Sequence, residues 1–413
     1  MKKIFMVLVA LMMVIGLSAQ TITVLHSGDT VFSDTSHFKI VEKLLKKDYP
    51  KVKIEWMKVD LSDGSALTMD ALLAAGEAPN IYLDTTVRTS KYAVPEYALD
   101  LKGLIQDLDK YSDISMYMNN GKLYALPVSG SGQGMLINLD IMKDIGFTVK
   151  PDWTIADFLK MAELVKQKYG GKKFATGMFA ANQSGDYLLN NWYASFGVNW
   201  YENGDYSKST IAKNGGAKVY EFYQTLVKNG YVPPNAANLN DDDYAADWAV
   251  GKFAATAFFP SWCKPYFDTA IQQKLIEKPF EYMFVPFPRA PGVKKVGTYY
   301  SGSVAVVHKT GKEVDKIAAR LVEYLNADES EILFAKSIGL IPDKKGLPMP
   351  NDPYVAQVGK IIADNGFQDV GLLDRRFTER RSQQYPILQQ VLNLKIIPEE
   401  AIKKFNAALD GVK

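Results

Sequence analysis

The sequence predicts a two-domain α/β protein, and three observations carry that expectation. Its 413 residues exceed what one hydrophobic core accommodates, since single cores stop growing at roughly 250–300 residues. Strand and helix patterns alternate from the N-terminal region with short linkers, the grammar of an open sheet. Two separated Gly-rich stretches, "PVSGSGQG" and "GTYYSG", predict that the chain passes between lobes more than once.

The elements follow in order. "TITVLHSGD" is an apolar run ending in polar residues and Gly28, a strand entering a loop. "SHFKIVEKLLKKDYP" spaces Phe38, Val41, Leu44 and Leu45 as one helix face and stops before Pro50. "KVKIEWMKV" alternates Val52, Ile54 and Trp56 as a strand. "ALTMDALLAAGEAPN" is a second helix, and "IYLD" a short buried strand ending at Asp84. Ligands of open α/β sheets bind beyond the carboxyl ends of the strands, which directs attention to His26–Asp29 and Asp84–Arg88. The alternative is that these Asp and Thr residues cap the next helix.

"NGKLYALPVSGSGQGMLIN" reads as a hairpin, a Ser/Gly segment and a new strand. Gly130, Gly132 and Gly134 tolerate large backbone change, so the segment is a flexible linker, a surface close to ligand, or a plain loop. It is no phosphate loop, because no Gly-Lys-Ser/Thr follows. In "WTIADFLKMAELVKQKYGG", Thr154 and Asp157 form a capping box and Phe158, Met161, Leu164 and Val165 a buried stripe. "DYLLNNWYASFG" and "AKVYEFYQTLVKNGYVPP" are further helices. The triple acid Asp241–Asp243 either binds a cation or sits at a helix N-terminus facing the macrodipole. "GKFAATAFFP" is a strand, and the prolines of "FFPSWCKPY" predict a loop presenting Trp262 and Cys263, the sole cysteine. Strand composition returns in "FEYMFVPFPRAPGVKKVGTYYSGSVAVVHK", with a second crossover near 286–302. A helix at 313–326, the apolar "FAKSIGLIP", and the helices of "RRSQQYPILQQVLNL" and "PEEAIKKFNAAL" close the chain.

"MKKIFMVLVALMMVIGLSAQ" has the layout of a secretory signal peptide, cleaved after Ser18 or Ala19. No cysteine ends it, so a lipid-anchored lipoprotein is not expected; the alternative is an uncleaved N-terminal anchor. Losing Lys2 and Lys3 takes the formal charge from +2 to zero, leaving no electrostatic footprint for nucleic acid or acidic membranes. A single cysteine forms no internal disulfide, and export without disulfides suits a bacterial envelope protein. The 23 Tyr, 20 Phe and 6 Trp are more than an ordinary chain carries; such residues either fill a core or line sites for amphipathic ligands such as sugars.

Catalytic signatures are sparse. The three histidines, His26, His37 and His308, form no metal-ligand spacing, and no Gly-x-Ser-x-Gly elbow is present. Cys263 would need a histidine brought from elsewhere to act as a nucleophile. No pair of acids is singled out for glycoside hydrolysis.

Taken together, the segments resemble the extracellular solute-binding proteins of ABC importers, the carbohydrate-binding group that includes maltose-binding protein. The resemblance is carried by the order of weak motifs over nearly the whole mature chain: "TITVLHSGD" with a helix and "YPKVKIEW", then "APNIYLD", "NGKLYALPVSGSGQGMLINLDIMKDIGF" and "PDWTIADFLKMAELV". "VGKFAATAFFPSW", "VPFPRAPG", "GTYYSGSVAVV", "LNADESEILFAKSIGLIP" and "PEEAIKKFNAAL" follow. It implies the type II periplasmic-binding-protein fold, two α/β lobes, each a mostly parallel sheet flanked by helices, joined by a multi-strand hinge. Lobe 1 is expected to hold residues 20–130 and 303–340, and lobe 2 residues 131–302 and 341–413. Hinge segments are expected near 129–134, 296–302 and 340–345, after a signal peptide at 1–19.

The resemblance further implies a periplasmic, monomeric protein that is not an enzyme. It would carry no cofactor, metal or nucleic acid, and deliver a sugar or oligosaccharide to the permease subunits of an ABC importer. Carried over by position, ligand contacts fall on Ser27 and Asp29 with His26 adjacent, then on Asp84, Thr85 and Arg88. Ser131 and Gln133 stand where the family often has an acid. Tyr187 and Asn191 come from the "GDYLLNNWY" helix, Trp262 is the stacking residue, and Tyr300, Ser301 and Gly302 lie at the second hinge. The late tryptophan of maltose binders has no counterpart, so Arg376, Arg380 or Arg381 stands in its region. Those arginines leave room for an anionic sugar derivative, and a secreted glycan hydrolase is the alternative from another class.

Overall fold

The computed structural model describes residues 20–28, 34–59, 64–111, 114–202, 205–368, 370–372, 374 and 376–412. The expected signal peptide and Asp29 lie outside the described residues. The chain opens with strand β1 (Thr21–Ser27), helix α1 (Phe38–Asp48), β2 (Lys53–Val59), α2 (Gly64–Ala75), β3 (Ile81–Thr85) and the four-residue α3 (Thr86–Thr89). β1 runs parallel to both β2 and β3, with Val24 opposite Trp56 on one side and Ile81 on the other. Ile22, Val24 and Leu25 are buried, as a central strand requires. Phe38 and Trp56 stack with ring centroids 3.8 Å apart, fastening α1 to the sheet through the face that the helical spacing marks as apolar.

A small hairpin, β4 (Met118–Asn119) and β5 (Lys122–Leu123), precedes β6 (Leu126–Gly132). The first sheet is completed from far along the chain by β10 (Tyr300–Val307), antiparallel to both β3 and β6, in the order β2-β1-β3-β10-β6. The Ser/Gly segment is therefore a fully buried strand and not a plain loop.

After Gln133 the chain enters a second lobe through β7 (Gly134–Asn138). Next come α4 (Leu139–Asp144), α5 (Ile155–Tyr169), α6 (Asp186–Ser195), α7 (Ala217–Lys228), α8 (Asp241–Ala249), β8 (Ala255–Phe258), α9 (Pro260–Gln272) and β9 (Tyr282–Val285). The expected capping box on α5 is present, with Thr154 and Asp157 exchanging bonds, and Gly170 ends the helix at φ 56°. Asn240 and Asp243 form the same device on α8, so the triple acid opens a helix. α10 (Val314–Leu325) and α11 (Asp328–Ile338) return to the first lobe. α12 (Pro353–Asn365), α13 (Phe377–Ser382), α14 (Gln384–Leu392) and α15 (Pro398–Gly411) finish the second.

Two expectations need correction here. The second sheet, β8-β7-β9, is not mostly parallel: β7 is antiparallel to both neighbours. β7 follows β6 with only Gln133 between them, so its direction is set by the strand it continues, whereas β8 and β9 enter from helices inside the lobe. The stretch after β8 is not a loop. Pro260 begins α9 at N1, where its fixed φ suits a helix and its missing N–H costs nothing.

The two cores are separate. One gathers Ile22 to Val128 with Val304 to Leu340, and the other Met135 to Tyr299 with Val358 to Leu409. Val87, on α3 of the first lobe, is the exception, since it packs into the second core at 4% exposure. The Thr378 hydroxyl of α13 donates to the Val87 carbonyl at 3.2 Å, a second contact between lobes. The three crossover segments lie side by side: Gly132 faces Tyr300, and Gly130 exchanges two backbone bonds with Ile341 at 2.8 and 2.7 Å.

Candidate ligand cleft

A cavity of about 380 Å³ opens between the lobes. From the first lobe it is lined by Thr85 at the end of β3, Val87 and Arg88 on α3, Ser131 on β6, Ser303 on β10, and Ile338 and Leu340. The second lobe presents the starts of three helices. Asn182, Gln183 and Ser184 come from the 3-10 turn that precedes α6 and Tyr187 from its first turn, Asn240, Asp241 and Asp242 from the start of α8, and Phe259, Ser261, Trp262 and Tyr266 from α9. Arg381 of α13 completes the wall.

Trp262, half-buried, anchors an aromatic cluster. Its ring centroid lies 5.1 Å from Phe259, 6.3 Å from Tyr266 and 6.4 Å from Tyr187, and Tyr187 in turn lies 5.2 Å from Tyr299. Such a surface desolvates the C–H face of a ligand while phenols and amides serve its polar rim. Burial pushes the Tyr187 phenol up, so it stays protonated and can donate at neutral pH. Pro265, inside α9, has no N–H to give to the Ser261 carbonyl, so that acceptor in the lining loses its helical partner.

Both arginines of the cleft are already paired. Arg381 makes a bidentate bridge to Asp186, Nη2 to Oδ1 at 2.6 Å and Nε to Oδ2 at 2.8 Å, with 3% and 0% side-chain exposure. Its guanidinium lies 5.0 Å over the Tyr187 ring. Arg88 bonds the buried Asp84 at 2.9 Å, and Asp84 also accepts from the Thr85 amide at 2.6 Å and the Tyr82 hydroxyl at 3.1 Å. On the opposite wall, Tyr266 donates to Asp242 at 2.7 Å and Asn182 to Asp241 at 3.1 Å.

Of the residues expected from sequence, Trp262, Thr85, Arg88, Ser131, Tyr187 and Arg381 meet in this lining. Asp84 stands directly behind Arg88. His26 and Ser27 are buried at the end of β1, His26 with Nδ1 2.9 Å from the Ser27 carbonyl and its ring 5.2 Å from Phe38, and neither lines the cavity. Tyr300 packs on Phe367 at 4.4 Å, and the Gly302 carbonyl accepts from Thr86 at 3.3 Å, also outside the lining. Ser301 is in β10, with its side chain outside the described residues. Gln133 and Asn191 lie deeper, in the crossover region.

Arg376 and Arg380 are elsewhere. They share one helix face and bind Asp374 and the Tyr206 carbonyl, Arg376 Nη2 reaching Asp374 at 2.7 Å and Arg380 Nη2 reaching Tyr206 at 2.8 Å. Arg381, about 100° further round the helix, is the one turned to the cleft. Cys263 faces away from it, buried with Sγ 3.7 Å from the Phe259 carbonyl, and burial pushes its thiol up, away from the reactive thiolate.

Sequence reasoning missed the polar helix starts, "NQS" at 182–184 and "NDD" at 240–242. Their signal was the asparagine N-cap before each helix, which locates a helix start without saying what it faces. Among the described residues no cluster of three or more His, Cys, Asp or Glu could hold a metal ion, and no helix is long and apolar enough to cross a membrane.

Residues 39–357 match the bacterial extracellular solute-binding proteins. The chain belongs to that family. The melibiose/raffinose/stachyose-binding protein MelE of Bacillus subtilis is 30% identical over 105 residues, a match spanning 25% of this chain and 24% of MelE. A chitin oligosaccharide binding protein superposes with a TM-score of 0.79 at 19% identity, covering 96% of this chain and 99% of its own. UgpB from Mycobacterium tuberculosis, in complex with glycerophosphocholine, gives 0.78 at 15% identity, covering 94% and 97%. These likenesses establish the two-lobe solute-binding fold.

Proposed function

We propose that this protein captures a sugar or oligosaccharide in the interlobe cleft and hands it, chemically unchanged, to the membrane permease of an ABC importer. The observation that carries the reading is the aromatic wall of Trp262, Tyr187 and Tyr266 set among amide, hydroxyl and carboxylate groups in a cavity of about 380 Å³. That size falls within the roughly 300–1,000 Å³ of small-molecule sites. The saccharide names of MelE and of the chitin oligosaccharide binding protein agree with it. The protein acts as a periplasmic monomer after loss of residues 1–19, without cofactor, metal or catalysis. Residues 20–130 with 303–340 form one closing body and 131–302 with 341–413 the other, moving about the crossovers near 129–134, 296–302 and 340–345.

In this reading Trp262 and Tyr187 stack on the sugar face. Thr85, Arg88, Ser131 and Arg381 serve hydroxyls, joined by Asn182 and the acids Asp241 and Asp242. Arg88 and Arg381 are each neutralised by a buried aspartate, so among the described lining residues the cleft has no spare positive charge for an anionic sugar. The test is calorimetry and thermal shift against neutral mono- and oligosaccharides, including α-galactosides and chitooligosaccharides. A binder at 100 times its Kd raises stability by about 2.7 kcal/mol. Silence across the panel, or turnover of a labelled glycan, overturns the reading.

A further inference from the structure

We infer that Asn191 couples the ligand-facing helix α6 to the crossover strands, so that seating a ligand on Tyr187 and bending between the lobes become one event. The inference rests on the proposed cleft function for its meaning. Its geometry stands apart from that function.

Asn191 is fully buried. Its Nδ2 donates to Gln133 Oε1 and, at 2.7 Å, to the Tyr187 carbonyl one turn earlier. Its Oδ1 accepts from the Tyr299 amide at 2.9 Å and lies 3.5 Å from the Thr298 hydroxyl. An asparagine amide offers two donors and two lone pairs; both donors and one lone pair are engaged within the protein, and full burial keeps the side chain away from a ligand. Its partners are the two segments that carry the chain between lobes. Gln133 separates β6 from β7, and Thr298 and Tyr299 lead into β10. Those segments also bond each other, the Thr298 hydroxyl to the Gln133 carbonyl and the Gln133 amide to the Tyr299 carbonyl at 3.2 Å.

The helix connects this knot to the cavity. Tyr187 and Asn191 are four residues apart, hence on one face of α6, and Tyr187 lines the cleft while touching the Tyr299 ring. Any rotation of the lobes changes backbone torsions at 132–134 and 298–300. It must then carry Asn191 along or leave buried donors and acceptors unpaired, which is strongly disfavoured. A ligand that fixes Tyr187 therefore biases the crossovers, and by linkage the crossover geometry biases affinity.

The experiment uses the full mature chain and Asn191→Leu, with Gln133→Met as a second variant that removes one partner and leaves α6 intact. In the ligand-free protein, hydrogen exchange at the Tyr299 and Gln133 amides should accelerate at least tenfold, while Val24 and Leu83 in the first sheet stay unchanged. With a saccharide that the wild type binds, affinity should fall about tenfold and the ligand-induced compaction seen by small-angle scattering should be lost. Unchanged exchange at both amides in both variants overturns the inference, as does weakened binding with compaction intact. A wild type that binds no saccharide sinks the proposed function alone, since the exchange arm still decides the role of Asn191.

Discussion

The two walls of the cleft are built differently. The first lobe contributes strand ends, a four-residue helix and the end of α11, so its lining has no aromatic ring among the described residues: Thr85, Arg88, Ser131 and Ser303 beside the aliphatic Val87, Ile338 and Leu340. The second contributes the first turns of α6, α8 and α9, which project aromatic rings and amides. Their ion pairs differ in the same sense. Arg88–Asp84 retains 15% exposure at the arginine, whereas Arg381–Asp186 is sealed at 3% and 0%. Beyond the ion pairs the order reverses: Thr85, Ser131 and Ser303 of the first lobe are buried, whereas Asn182, Trp262 and Tyr266 of the second are half-buried and Asp242 is exposed.

Replacing Arg381 by alanine is the strongest way to break that comparison. It strands the Asp186 carboxylate inside the lobe, and an unpaired buried charge costs about 3–5 kcal/mol. Arg88→Ala leaves Asp84 its bonds to Thr85 and Tyr82 and should cost about 1–2 kcal/mol. Urea unfolding of both variants checks the order, and equal losses would remove the distinction.

A smaller effect separates the aromatic wall from its surroundings. Trp262→Ala should weaken saccharide binding by about 2 kcal/mol, roughly thirty-fold in Kd, as loss of a central aromatic anchor does. Cys263→Ser, one residue on, should leave Kd within about twofold. Calorimetry on the pair decides whether the ring or the helix end matters.

The smallest expected effect concerns pH and the first lobe alone. Burial pushes the Glu331 carboxyl up to about 7, despite the Lys344 amide bonding it at 2.9 Å. Between the ordinary Glu value and 7 the folded state holds the extra proton, so stability falls as pH rises through that window. Glu331→Gln keeps the acceptor and removes the titration. It should gain about 1–2 kcal/mol at pH 8 and nothing at pH 4, the amide's own burial offsetting part of the benefit. His37, whose burial lowers it to about 4, gives the opposite slope, with stability rising from pH 4 to 6.5. In the variant that rise should be steeper than in the wild type in melting curves taken across pH 4–8.

The fold was legible because β1, α1, β2 and β3 carry clean periodicities, and the place of Thr85 and Arg88 in the cavity lining because they follow the end of β3. The second lobe's wall was not legible, since an N-cap asparagine or a Pro260 announces a helix without its direction. The glycines misled for a different reason. A Cβ on Gly130 would lie 2.7 Å from Tyr300 Cε2, on Gly132 2.8 Å from Ile362 Cδ1, and on Gly134 2.7 Å from Phe284 Cδ1. They serve close approach along one face of β6 and β7, and composition alone does not distinguish that from flexibility. Among the arginines, only the turn of α13 separates Arg381 from its neighbours.

Val87 belongs to one lobe by sequence and to the other by packing. Parting the lobes would return that side chain to water at a cost of about 1.5–2 kcal/mol, a standing bias toward closure before any solute arrives. Apparent affinity scales with the fraction of molecules already competent to bind. In the proposed function the capture threshold would thus be set partly by an aliphatic side chain, and because Val87 also lines the cleft, a change at residue 87 would act on closure and on recognition together.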